Sequence, residues 1–346
     1  MRRGSVREGR ALQLVAACAL AAAGAVWLPR SEPVEPPHAA VVEQPLVVEQ
    51  AAGERGGEMR ITDTEIEGPA AGRDPGLPNR VGSSAVPVRT YEPDGAAWAT
   101  LVWAHGGSFS RGNLDWPEAD WAARRFAEAG IRVHSVDYAL ASDTVKAPAP
   151  VADVSAVVRW AGAEDGVHPL VVGGASAGAH LAVLAALSGA DAAGGRPIAA
   201  LLLEYPTLHR TQRFDPELDA ATAVLPAQRR FGAERIAGMY DFYLGDPGEA
   251  TAAGAVIAGE QPPERLAVLP PLIIVNADAD DLRASSEQFA DQLRAAGVPV
   301  VEAVQPATVH GYLNRPDESA QARIDAQQSI DRFVAELRLI LVPNGE

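Results

Sequence analysis

Apolar and polar positions fall into a regular rhythm only from about residue 58 onward. Residues 59–67 partly alternate, as a half-buried strand does, and 86–91 is a second candidate strand. Residues 99–104 (ATLVWA) form a short, nearly continuous apolar run, the pattern of a strand buried on both faces. Helical spacing follows over 116–129, with Gly130 placed as a C-cap. The pattern then predicts a strand over 131–138, a helix over 151–163, a strand over 170–172 and an Ala/Leu-rich helix over 176–188. Further strands are predicted at 199–203, 272–275 and 298–304. Pro299 stands near the start of the last, where proline is tolerated. Helices are predicted at 285–296, ending at Gly297, and at 320–341, which is amphipathic. This alternation predicts an α/β fold whose central sheet is mostly parallel and covered by helices on both faces.

Residues 209–268, after the sixth strand, break the rhythm. They are polar, proline-bearing and strand-poor, with clustered aromatics Phe231, Tyr240, Phe242 and Tyr243. An insertion of this size reads as a lid or cap, or as packing decoration. If it is a cap, its aromatics are expected to wall an apolar pocket, with Phe109 facing it.

The N-terminus has a different character. Arg2, Arg3, Arg7 and Arg10 precede residues 11–29, which carry no charge. A basic start followed by an apolar run predicts an export signal or an N-terminal membrane anchor, cleaved or retained. Residues 30–57 are rich in Pro, Glu and Gln and read as an extended linker. The expected organisation is therefore a signal or anchor (1–29), a linker (30–57) and a catalytic domain (58–346) with a cap insertion at about 209–268. The protein is expected to be exported, to the cell envelope or beyond.

Composition narrows the function. The chain of 346 residues has 29 Lys+Arg against 45 Asp+Glu, a net charge of −16, and 47% hydrophobic residues. So large a negative balance argues against nucleic-acid binding, which needs a basic footprint. The single cysteine, Cys18, lies inside the apolar N-terminal run, which excludes an intramolecular disulfide and a cysteine-based zinc site. No metal or organic cofactor is expected. Oligomeric state is open.

The chemistry collects at strand ends. Gly174-Ala175-Ser176-Ala177-Gly178 is a G-x-S-x-G sequence between a strand and a helix, the context of a nucleophile elbow. Small neighbours are needed because the backbone crowds itself at such a turn. His105-Gly106-Gly107 ends the strand 99–104, and the N–H groups of Gly106, Gly107 and Ala177 are the expected oxyanion-hole donors. An acid and then a histidine should follow the serine. Asp278, Asp280 and Asp281 all follow the strand 272–275. Among seven histidines only His310 stands just past a late strand and after an acid. His38 lies in the linker, His105 in the oxyanion turn, His134 in a strand and His180 in a helix. His168 precedes the serine and His209 precedes the acids.

On these residues the sequence resembles the α/β-hydrolase superfamily, and within it the hormone-sensitive-lipase-like esterases, over about residues 58–342. The resemblance is carried by His105-Gly106-Gly107, Asp137-Tyr138-Ala139-Leu140-Ala141, Gly174–Gly178, Asp280-Asp281-Leu282-Arg283 and His310-Gly311-Tyr312. Against the family's usual motifs, Ser108 stands for a third glycine and Ala139 and Ser142 depart from Tyr-Arg-Leu-Ala-Pro. Asp281 replaces the proline of Asp-Pro-Leu-Arg. The linker stands where the family often has N-terminal cap helices. The resemblance selects Asp280 as the acid and implies a triad of Ser176, Asp280 and His310. It implies hydrolysis of small to medium acyl esters through an acyl-enzyme. An amidase, formamidase or peptidase on the same triad is the alternative, and a binding protein on a hydrolase fold is a further one.

Overall fold

The structure, a computed structural model, describes residues 59–68, 85–164, 166–189 and 196–341. The apolar run 11–29 and the linker 30–57 lie outside the described residues. Among the described residues, eight strands form one sheet. They are β1 (Arg60–Glu67), β2 (Ala85–Glu92), β3 (Ala99–Ala104), β4 (Ile131–Val136), β5 (Leu170–Ala175), β6 (Ile198–Glu204), β7 (Leu272–Ala279) and β8 (Val300–Val309), in the order β1-β2-β4-β3-β5-β6-β7-β8. The β1–β2 and β2–β4 pairs are antiparallel, and every pair from β4 through β8 is parallel.

Helices cover both faces, as the continuous apolar strands require. On one face pack α1 (Asp120–Glu128) and α9 (Ala320–Leu341). Ala326, Ile330, Phe333 and Leu337 of α9 follow helical spacing and are fully buried, with Phe333 against Phe126 of α1. On the other face pack α2 (Ala149–Glu164), α3 (Ala177–Gly189) and α8 (Arg283–Ala295). Helix α3 is apolar nearly all round, and it is buried from Ala177 to Leu187.

Several boundaries differ from the sequence pattern. Helix α1 begins four residues later than its spacing suggests. Trp116–Ala119 form a turn instead, in which the Ala119 and Asp120 N–H groups both return to the Trp116 carbonyl. Strand β7 runs four residues past the apolar stretch, because its neighbour β8 is longer than expected and keeps pairing with it. Strand β1 is mostly exposed rather than half-buried, with Ile66 its one buried residue, as befits an edge.

Between β6 and β7 the chain forms four short helices: α4 (Pro216–Thr222), α5 (Ala233–Leu244), α6 (Pro247–Ala252) and α7 (Pro263–Leu266). Helices α4 and α6 each start at an Asp-Pro pair. Asp215 accepts the N–H groups of Glu217 and Leu218, and Asp246 those of Gly248 and Glu249. That is a local start signal of N-cap acid and first-position proline.

Candidate active site

Strand β5 runs directly into α3, and Ser176 is the hinge between them, with φ of 51°. A non-glycine residue in the left-handed region is strained and persists only where its surroundings hold it. Here its N–H donates to the Glu204 carbonyl on β6 at 2.9 Å. The two motif glycines have a steric cause. A Cβ on Gly178 would stand 2.0 Å from the Ala104 carbonyl oxygen, and one on Gly174 would stand 2.5 Å from the same atom. The end of β3 therefore presses against the first turn of α3, which brings the His105-Gly106-Gly107 turn beside the serine.

Ser176, Asp280 and His310 are brought together. Ser176 Oγ lies 2.9 Å from His310 Nε2, and His310 Nδ1 lies 2.7 Å from Asp280 Oδ2. A carboxylate can only accept, so Nδ1–H donates to Asp280 and Nε2 is left to accept from the serine hydroxyl. Asp280 is 2% exposed, and its other oxygen accepts the Leu282 N–H at 3.0 Å. The edges of Tyr205 and Phe231 bracket the His310 ring at 4.9 and 4.5 Å between centroids. Arg315 donates to the His310 carbonyl at 2.7 Å.

The other two acids have different partners. Asp278 accepts the Ala307 N–H from β8 at 2.9 Å, with its side chain 48% exposed. Asp281 holds the insertion: its carboxylate accepts the Phe231 N–H at 2.6 Å and the Thr222 hydroxyl. The residue standing where the family carries proline thus ties Phe231 in place beside His310.

The oxyanion turn requires a correction. The Gly106 N–H donates to Glu118 Oε2 at 2.5 Å, so it is not available to a substrate oxygen. Gly106 is needed for space instead, since a Cβ there would lie 3.0 Å from Ser176 Cβ. Among the described residues no acceptor takes the N–H groups of Gly107, Ser108 or Ala177. Gly107 and Ser108 both line the cleft that holds Ser176, with φ of 118° and 54°. The described N–H groups without an acceptor at this turn are thus those of Gly107, Ser108 and Ala177.

Two buried glutamates sit behind the site. Glu118 accepts from Gly106 N–H and, at 2.6 Å, from the Tyr205 hydroxyl. Glu204 accepts from the Tyr312 hydroxyl at 2.6 Å and from Ser329 at 2.5 Å. Burial pushes both carboxyls up, Glu204 to about 8, while the hydroxyl donors pull the other way. No sequence signal distinguishes either from a surface glutamate. The remaining described histidines near the core have structural partners: His134 bonds Thr90, His209 bonds Ser285 and Gln292, and His180 meets the Tyr240 hydroxyl. Burial drives His180 down to about 3, so it is neutral.

The cleft over Ser176 encloses about 390 Å³ and is lined by Phe231, His310 and Trp116 together with polar side chains. Phe109 does not face it. Phe109 is fully buried and stacks on Tyr243 of α5 at 4.0 Å, and Tyr240 of the same helix closes the cluster. Phe242 is 40% exposed, under Lys146. Of the insertion's aromatics Phe231, Tyr240, Phe242 and Tyr243, only Phe231 lines the cleft. Among the described residues no group of three or more His, Cys, Asp or Glu side chains could hold a metal ion.

An eight-stranded, mostly parallel sheet with a serine on the strand-to-helix turn after β5 defines an α/β hydrolase. The family described as alpha/beta hydrolase fold matches residues 101–314, and the chain belongs to it, in the hormone-sensitive-lipase-like branch that its motifs resemble. The chain is 31% identical to the esterase LipI of Mycobacterium tuberculosis over 295 residues, 82% of this chain and 83% of LipI. It is 33% identical to the carboxylesterase NlhH of the same organism over 243 residues, 67% of this chain and 73% of NlhH. Among solved structures, a hyperthermophilic esterase from Pyrobaculum calidifontis superposes with a TM-score of 0.64 at 26% identity, over 82% of this chain and 86% of that one.

Proposed function

We propose that the protein hydrolyses carboxylic esters of small to medium acyl chains through an acyl-Ser176 intermediate. The observation that carries this reading is the unbroken relay from Asp280 through His310 to Ser176, at 2.7 and 2.9 Å, inside a cleft of about 390 Å³. The esterase and carboxylesterase activities named for its relatives support the same reading.

Ser176 Oγ attacks the ester carbonyl as its proton passes to His310 Nε2. The carbonyl oxygen becomes an oxyanion held by the N–H groups of Gly107, Ser108 and Ala177. Asp280 fixes the His310 tautomer and stabilises the imidazolium. Collapse of the tetrahedral intermediate breaks the bond to the alkoxy group, which leaves as the alcohol with the proton from His310. Water then attacks the acyl-enzyme with His310 as base, and the acid and free serine are released. The uncharged run 11–29 behind its basic start supports delivery of this enzyme to the cell envelope or beyond.

The test is labelling of the purified chain with a fluorophosphonate probe beside turnover of p-nitrophenyl esters from C2 to C12. Labelling and turnover confined to chains that keep Ser176, with activity greatest for short acyl groups, is the expected result. Turnover retained in Ser176→Ala sinks the assignment. Turnover of anilides but not of the matching esters moves it to an amidase.

A further inference from the structure

The cleft carries a charge opposite to that of the molecule. The chain as a whole has 29 basic against 45 acidic residues, yet the cleft over Ser176 is lined by three guanidiniums and one carboxyl. The guanidiniums are Arg111, Arg229 and Arg315; the carboxyl is Glu118. Three separate segments supply them. Arg111 belongs to the oxyanion turn, where its N–H returns to the Gly107 carbonyl at 3.0 Å. Arg229 comes from the insertion, and Arg315 follows the His310 turn, its N–H bonded to the Tyr312 carbonyl at 2.9 Å.

Internal pairing does not cancel this charge. Glu118 is committed to the Gly106 N–H and the Tyr205 hydroxyl. One carboxylate, Glu318, serves both Arg229 at 2.8 Å and Arg315 at 3.4 Å. Arg111 is exposed, and among the described residues its side chain has neither an ion-pair nor a hydrogen-bond partner. Nearby, Arg235 lies 4.0 Å over the Phe231 ring and is pushed down first by burial and then by the Arg111 charge. Asp281 adds no free charge, being held by Phe231 N–H, Thr222 and Arg230. A partly enclosed cleft focuses such a local field even when the whole molecule repels anions.

Resting on the ester-hydrolase reading, we infer that this cleft selects esters bearing a carboxylate a few bonds from the scissile carbonyl, bound by Arg111 with help from Arg229. Guanidinium is suited to this because its fork can meet both carboxylate oxygens at once. A neutral ester of the same length leaves the fork to water.

The test compares charged and neutral esters of equal length by pH-stat titration at pH 7.5. Monomethyl glutarate against methyl valerate places the carboxylate on the acyl side, and 4-acetoxybutyrate against butyl acetate places it on the alcohol side. In at least one pair the charged ester should have a kcat/KM about tenfold higher, given the strength of charge-assisted hydrogen bonds. That ratio should fall about tenfold in Arg111→Gln, stay largely intact in Arg111→Lys and shrink in 0.5 M NaCl. Neutral esters matching or exceeding their charged partners in both pairs would overturn the inference and leave the esterase reading standing. Absence of turnover with all four would overturn the esterase reading. Calorimetry of monomethyl glutarate and of 4-acetoxybutyrate with Ser176→Ala then reads the cationic site by itself. Millimolar binding of either, abolished by adding Arg111→Gln, supports the site, and no heat from both at 20 mM overturns it.

Discussion

Glu204 makes the stability of this protein depend on pH in a direction opposite to that of most carboxylates. It ends β6 with no exposed surface, and its only described side-chain donors are Tyr312 and Ser329. Burial pushes it from an ordinary 4.5 to about 8, and the neighbouring Glu118 adds to the rise. Between those two values the folded protein keeps a proton that the unfolded chain has released. Stability therefore falls as pH rises through this window. The rise from 4.5 to about 8 corresponds to about 5 kcal/mol across the whole window. Between pH 5.5 and pH 7.5 the loss comes to roughly half of that. Glu204→Gln removes the titration while keeping an acceptor for Tyr312. The assay is urea unfolding of both proteins at pH 5.5, 6.5 and 7.5, each fitted by linear extrapolation. Groups that titrate in both proteins cancel in the difference. The wild type should lose about 2 to 3 kcal/mol relative to the variant over this range. Parallel pH dependences, or a wild type that gains on the variant as pH rises, would refute the reasoning.

Three further outcomes follow from the geometry. Asp280→Asn should lower kcat about 10⁴-fold by allowing the wrong His310 tautomer, whereas Asp278→Asn should stay within about threefold because that half-exposed side chain meets only the Ala307 N–H and Arg283, not His310; steady-state kinetics on one p-nitrophenyl ester separates the two. Gly178→Ala places a Cβ 2.0 Å from the Ala104 carbonyl. It should cost about 3 kcal/mol, seen as a lowered Tm in scanning calorimetry together with loss of fluorophosphonate labelling. Asp281→Ala frees the Phe231 N–H and the end of α4. It should cost about 2 kcal/mol and raise KM more than it lowers kcat, and an unchanged KM would count against a cap anchored by this residue.

Much of the architecture is legible in the sequence. Continuous apolar runs at 99–104 and 170–172 specify strands buried on both faces, and an Ala/Leu segment apolar all round specifies a buried helix. These are local properties, fixed by the periodicity of each element and by the area it must hide. The serine was legible for the same reason. Gly-Ala-Ser-Ala-Gly between a strand and a helix records crowding that arises within a few residues. Chain order then singled out His310.

What the sequence could not rank are alternatives that differ only in their distant neighbours. Asp278, Asp280 and Asp281 stand within four residues and share one chemistry, yet they are sorted by β8, His310 and the insertion respectively. The Gly106 N–H looked available until Glu118, beyond the oxyanion turn, turned out to claim it. Phe109 is no pocket wall, because its left-handed backbone turns it against Tyr243 of α5. The cationic lining of the cleft is invisible in a chain of net charge −16, because Arg111, Arg229 and Arg315 meet only when three loops converge. Steric crowding and side-chain periodicity act over a few residues and are written locally. Hydrogen-bond competition and electrostatic fields act through space, so the tertiary structure alone decides which group each partner receives.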